Sequence, residues 1–130
     1  MSPVEDAPRI AHLPGPAPID AYGRGGFRFA EMSHRGSLLC LPSGMWGWEA
    51  GEPPRFDETT LARVFAEAEA IDILLVGTGE RLVPLAADFR ARCRDLRISA
   101  DAMATGNAVR TWNILLGEGR RVAAVLLAVD

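Results

Sequence analysis

Phe27 and Phe29 alternate with Arg28, which puts two aromatic rings on one side of an extended segment and the guanidinium on the other. The same β pattern runs from Ile19 to Trp48. Within it Ser33 to Gly36 reads as a turn, Ser37 to Leu41 as a nearly continuous apolar strand ended by Pro42, and Met45, Trp46 and Trp48 as the next extended segment. Gly23, Gly25 and Gly26 each weaken a regular strand and permit positive φ, so a bulge or bend is expected there. No helix start follows them, which argues against a phosphate cradle.

The period then changes. Asp57 is placed to cap a helix running to about Glu69, in which Leu61, Val64, Phe65 and Ala68 recur at i, i+3, i+4 and i+7 while Arg63 and Glu67 face away. If Phe65 is buried in that stripe, its replacement by Ala costs about 3–5 kcal/mol. Ile71 to Val76 is apolar without alternation, the mark of a strand covered on both faces, and Gly77, Thr78 and Gly79 end it. Pro84 suits the first turn of a second helix lined by Leu85, Phe89, Cys93 and Leu96, and Arg97 to Met103 forms another strand. Thr105 is positioned to cap a third helix with a stripe of Ala108, Val109, Trp112, Leu115 and Leu116, and Gly117 to stop it. Val122 to Val129 closes the chain as a second buried strand. The pattern is α/β, a β-rich half followed by an αβαβ half around one core.

Pro3, Pro8, Pro14, Pro16 and Pro18 punctuate a first segment with few large apolar groups, so residues 1–18 read as an extended arm and residues 19–130 as a single domain. A chain of 130 residues buries roughly two-thirds of its unfolded surface without staples. Its 48% hydrophobic and 24% charged residues are those of a globular domain. A net charge of −3 disfavours nucleic acid and anionic lipid as partners. The 14 basic residues are all Arg, and a chain without Lys supplies neither a Walker-type lysine nor a Schiff-base amine.

Cys40 and Cys93 lie far apart, without CxxC spacing or a neighbouring His, as apolar fillers in a reduced compartment; pairing between them stays open. The longest apolar run, Val122 to Val129, falls well short of the about 20 residues of a spanning helix, and Glu5, Asp6 and the lone Arg9 fit neither a secretion signal nor a presequence. The expected setting is bacterial cytoplasm.

Candidate chemistry is sparse. Gly77-Thr78-Gly79 follows a buried strand, where ligands of open α/β sheets collect, yet Leu82 stands where a dinucleotide fingerprint needs its third glycine. The segment is either a structural turn or the lip of a cleft. Arg110, Asn113 and Gly117 fall opposite Trp112 on the third helix, as solvated residues or a contact surface, and Thr105 with Asn107 could offer hydrogen bonds to an anion. Arg90, Arg94 and Arg97 form a basic stripe opposite Phe89 and Cys93, with Asp88 and Asp95 beside it: a solvated face or a patch for an acidic partner. His12 and His34 are the only imidazoles, and neither GxSxG, HExxH nor paired Cys/His spacing occurs, so no catalytic residue and no metal or cofactor is assigned.

Three segments taken together carry a resemblance: Tyr22-Gly23-Arg24-Gly25-Gly26-Phe27-Arg28-Phe29; Leu74-Leu75-Val76-Gly77-Thr78-Gly79; and Met103 through Leu127, with Thr105, Ala108, Arg110, Thr111, Asn113, Leu115 and Glu118-Gly119-Arg120-Arg121. They resemble the small domain of unknown function shared by many bacterial proteins and by the mitochondrial assembly factor 3 of respiratory complex I, over about residues 17 to 130. Trp112 stands where that family more often has Tyr or Phe. The resemblance implies a three-layer fold with a central mixed β-sheet. It implies scaffold-like binding to complex I subunits or assembly factors rather than catalysis. A small-molecule binder or enzyme using a cleft at Gly77, Thr78, Gly79 and Thr105, and a homo-oligomer, are the alternatives.

Overall fold

The computed structural model describes residues 13–130. Its first strands, β1 (Ala21–Gly23), β2 (Gly26–Phe29) and β3 (Met32–Arg35), form a three-stranded antiparallel sheet in that order. Both of its turns are two-residue loops with positive φ at both positions, Arg24-Gly25 at 53° and 80° and Ala30-Glu31 at 48° and 63°. That is the turn geometry whose twist matches a hairpin. The expected bend at Gly23 to Gly26 is therefore the first hairpin turn. The expected turn at Ser33 to Gly36 is instead part of β3, and the reversal comes earlier, at two residues with none of the usual turn chemistry.

A five-stranded sheet follows, built from β4 (Ser37–Leu41), β5 (Gly44–Trp48), β6 (Ile73–Gly77), β7 (Ser99–Met103) and β8 (Val122–Leu126), in the order β5-β4-β8-β6-β7. β4 is antiparallel to β5 and β8, whereas β6 is parallel to β8 and β7, so the sheet is mixed. Helices α1 (Ala62–Ala66), α2 (Ala87–Asp95) and α3 (Thr105–Gly117) cover it. The step from β6 through α2 to β7 goes outward, and the step from β7 through α3 to β8 goes back past β6. Crossovers of one hand then require the two helices to lie on opposite faces.

They do. Leu39, Leu41, Leu74, Val76, Ala123 and Val125 pack with Val64, Phe89 and Cys93 on the α1/α2 side. Leu38, Cys40, Leu75, Ala124 and Leu126 pack with Ala108, Val109 and Trp112 of α3 and with Phe27 and Phe29 of the small sheet. The result is three layers around a central mixed sheet. Cys40 and Cys93 are free thiols on opposite sides of it.

Several local expectations give way to other geometry. Asp57 Oδ1 accepts the Thr60 N–H at 2.9 Å, and this hydrogen bond holds its carboxyl below the usual carboxylate range. The capped turn stops there, because the Thr60 hydroxyl donates back to Arg55 O at 2.7 Å, and the helix begins only after Leu61. Phe65 is half-buried, set edge-on to Phe89 at 5.9 Å. Pro84 lies outside α2, which starts at Ala87.

Gly117 is the last residue of α3 rather than its stop. Gly119, at φ 75°, takes the left-handed position, with Gly119 N–H donating to Leu116 O and Arg120 N–H to Leu115 O, both at 3.0 Å. α2 ends in the same motif, but Arg97 holds the left-handed position at φ 62°, with Ile98 N–H donating to Cys93 O at 2.8 Å. Residues 1–12, most of the expected arm, lie outside the described residues. From Ala17 to Asp20 the chain alternates buried and exposed positions, as an extended segment over a surface does.

Two predictions follow from these contacts. Trp112→Ala, which empties a fully buried site, costs about 3–5 kcal/mol in urea unfolding, whereas Phe65→Ala, at an only partly buried position, costs about 1–2 kcal/mol. Arg97→Gly relieves a left-handed arginine and raises the unfolding free energy by about 0.5–1 kcal/mol, read from the denaturation midpoint at unchanged slope.

Candidate functional site

The chain leaving β6 turns toward α2 and the chain leaving β7 turns toward α3, so their carboxyl ends mark the divergence at which open α/β sheets form a ligand crevice. Gly77, Thr78, Gly79 and Thr105 all come together here. The crevice between them is bridged by the protein's own hydrogen bonds. Thr78 N–H donates to Met103 O at 2.8 Å, and Thr105 N–H to Gly79 O at 2.8 Å. Gly79 N–H donates to Thr105 Oγ1 at 3.0 Å, and that hydroxyl donates to Leu127 O at 2.8 Å. Gly77 lies against this knot, where an added Cβ would stand 3.0 Å from Thr105 Cα.

Thr105 is fully buried and does not cap α3; Ala104 occupies the cap position without a side-chain bond. The hydroxyl is drawn inward because it satisfies two main-chain groups that β6 and β8 leave over beyond the sheet. Thr78 is likewise buried, its hydroxyl donating to Arg81 O at 2.8 Å and accepting from Val83 N–H at 2.9 Å.

Along α3 the two remaining candidates separate. Arg110 is exposed and donates to Asn107 Oδ1 at 2.9 Å, both on the helix's own surface. Asn113 faces its own chain: its Oδ1 accepts Ile19 N–H at 2.8 Å and its Nδ2 donates to Ile19 O at 2.9 Å. From the preceding residue of the helix, Trp112 Nε1 donates to Ala17 O at 2.9 Å. Further along, Tyr22 covers Gly106, where any side chain would collide with the phenol. Three extended residues span about 10 Å and seven helical residues about 10.5 Å, so the segment Ile19 to Tyr22 fits the helix from Asn113 to Gly106.

Large apolar side chains stay in water on the chain segments bordering these strand ends: Leu82 at 56%, Val83 at 50% and Tyr22 at 44% exposure. Periodicity cannot flag them, since Leu82 and Val83 sit in a loop and Tyr22 in a short hairpin strand. Two grooves open on the surface. One of 610 Å³ runs between Arg35, Gly47, Trp48 and Arg63, and one of 360 Å³ lies on the small sheet around Tyr22, Arg28 and Arg35.

The polar side chains gathered here and nearby are engaged with the protein's own main chain. The Thr78 and Thr105 hydroxyls serve main-chain partners, and His34 sits on β3 with Nε2 2.9 Å from Ser37 O. Burial pushes the Cys40 thiol up, and burial raises Cys93 against the opposing pull of Arg92, so both stay as protonated, poor nucleophiles. Among the described residues no group of three or more His, Cys, Asp or Glu gathers to hold a metal, and no helix is long and apolar enough to cross a membrane.

Residues 19–127 match the family described as protein of unknown function (DUF498/DUF598). The chain belongs to that family. A relative in Rhodobacter capsulatus, an uncharacterised protein, is 40% identical over 93% of this chain and 92% of its own length. Human NADH dehydrogenase [ubiquinone] 1 alpha subcomplex assembly factor 3 is 29% identical over 84% of this chain, which spans 59% of that protein. A solved structure titled an outer membrane protein from Bartonella henselae superposes with a TM-score of 0.87 at 53% identity, over 92% of this chain and 100% of that one.

The knot at the strand ends makes a specific prediction. Thr105→Val keeps the shape but leaves Gly79 N–H and Leu127 C=O without a partner, at a cost of about 2–4 kcal/mol in urea unfolding, while Thr105→Ser restores most of it.

Proposed function

We propose that this DUF498/DUF598 member is a non-catalytic interaction protein of the bacterial cytoplasm that assists assembly of respiratory complex I or a related membrane complex. The observation that carries the proposal is its similarity to the human complex I assembly factor 3 across most of the domain. Docking is also the use that suits the site. The polar groups of Gly77, Thr78, Gly79 and Thr105 hold one another and give the rim a fixed shape, while Arg110 and Asn113 order the α3 side.

On that rim Leu82, Val83 and Tyr22 supply the binding energy, each worth about 1 kcal/mol when a partner covers its exposed half. The proposal calls for protein partners, complex I subunits or assembly factors, and for no cofactor.

Deleting the gene should lower the amount of assembled complex I on native gels and the membrane NADH:quinone activity together. Wild-type protein restores both, whereas Leu82→Asp/Val83→Asp, altered only at exposed positions and melting like the wild type, restores neither. A normal complex I level in the deletion strain rejects the proposal.

A further inference from the structure

β7 ends the five-stranded sheet, and among the described residues no strand pairs with its outer side. Its register identifies the groups left over. Ser99 N–H donates to Asp72 O at 2.9 Å, and Met103 O accepts Thr78 N–H at 2.8 Å. In a parallel ladder alternate residues turn both polar groups to the same neighbour. Ser99, Asp101 and Met103 therefore serve β6, and Ala100 and Ala102 aim N–H and C=O off the sheet. Their side chains are single methyl groups, which leave the approach clear.

Above that edge α2 holds two arginines. Arg90 and Arg94, one helical turn apart, line a groove of 280 Å³ together with Ile98, Ser99 and Ala100. Both are exposed, and among the described residues neither has an ion pair or side-chain hydrogen bond. Their neighbour Arg92, by contrast, holds Glu58 at 2.8 Å. Four unpaired main-chain groups thus lie beside two unpaired positive charges.

We propose that the β7 edge and the Arg90/Arg94 groove dock an extended acidic segment of a partner protein, which joins the sheet as a sixth strand. Main-chain bonds to Ala100 and Ala102 give the affinity, and side-chain alternation gives the selectivity. Ala100 packs on the α2 side of the sheet, so every second residue of the incoming strand passes beneath Arg90 and Arg94 and is acidic. The residues between them lie on the α3 side near exposed Asp101 and are neutral or basic.

A second copy fits poorly. Antiparallel pairing about Asp101 sets two carboxylates side by side, and any twofold pairing of β7 brings the Arg90/Arg94 pairs of both copies onto the same face. The proposal deepens the docking role above, yet it is read on the isolated protein, so it fails or stands apart from any effect on complex I.

The test titrates ¹⁵N-labelled protein with a blocked seven-residue peptide alternating glutamate and threonine, and with a counterpart carrying lysine for glutamate. The expected result is saturable amide shifts centred on Ala100 and Ala102 with the glutamate peptide alone. Arg90→Gln/Arg94→Gln, at two exposed positions that leave the fold intact, raises its Kd about three- to tenfold. Ala102→Pro, which removes a donor aimed off the sheet and spares the β6 ladder, abolishes the shifts. Silence at Ala100 and Ala102 with millimolar peptide, or an equal response to both peptides, overturns the proposal. So do concentration-dependent shifts there without peptide, which assign the edge to a second copy.

Discussion

The architecture depends on β8 lying between two parts of the chain made long before it. Val122 to Leu126 pair with β4 on one side and β6 on the other, and all five residues are buried. Without that strand the antiparallel β4-β5 hairpin and the parallel β6-β7 pair have no main-chain connection, and neither core cluster has its centre. Ala123 and Ala124 are fully buried on opposite faces, small enough for the covering layers to come close from both sides. Because β8 pairs with β4, far back in the chain, the sheet is held together through long-range contacts.

The same constraint explains what could be read from the sequence. Within the runs Ile71 to Val76 and Val122 to Val129, Ile73 to Val76 and Val122 to Leu126 announce themselves as strands because burial on two faces leaves no polar position between them. The stripe through Ala108, Val109 and Trp112 is equally plain because one helix face meets the sheet. β3 escapes recognition because Ser33, His34 and Arg35 are polar or charged, in a small sheet open to water on one side. Its turn at Ala30-Glu31 escapes because propensity disfavours those residues at positive φ, and pairing of Phe29 with Met32 overrides propensity.

Gly77 and Gly79 lie where β6 and β7 diverge, and Thr105 meets them there, a proximity that the glycine spacing suggests while leaving the role of the hydroxyl open. A hydroxyl at a helix start, however, looks the same in sequence whether it caps the helix or reaches into the knot behind it. The choice is made by unsatisfied carbonyl and N–H groups on Leu127 and Gly79. Asn113 is illegible for a simpler reason: its partner, Ile19, lies 94 residues away in the chain. The opposed faces of Cys40 and Cys93 are likewise a property of the sheet and not of their spacing.

Trp112 and Asn113 grip the incoming chain through the carbonyl of Ala17 and the peptide groups of Ile19, never through a polar side chain of that segment. Recognition of this kind is blind to residue identity wherever the side chain points outward, as at Pro18 and Asp20. The path of the backbone is therefore indifferent to substitution at those outward positions, so the outer surface of the segment can change while its seat on the helix stays as it is.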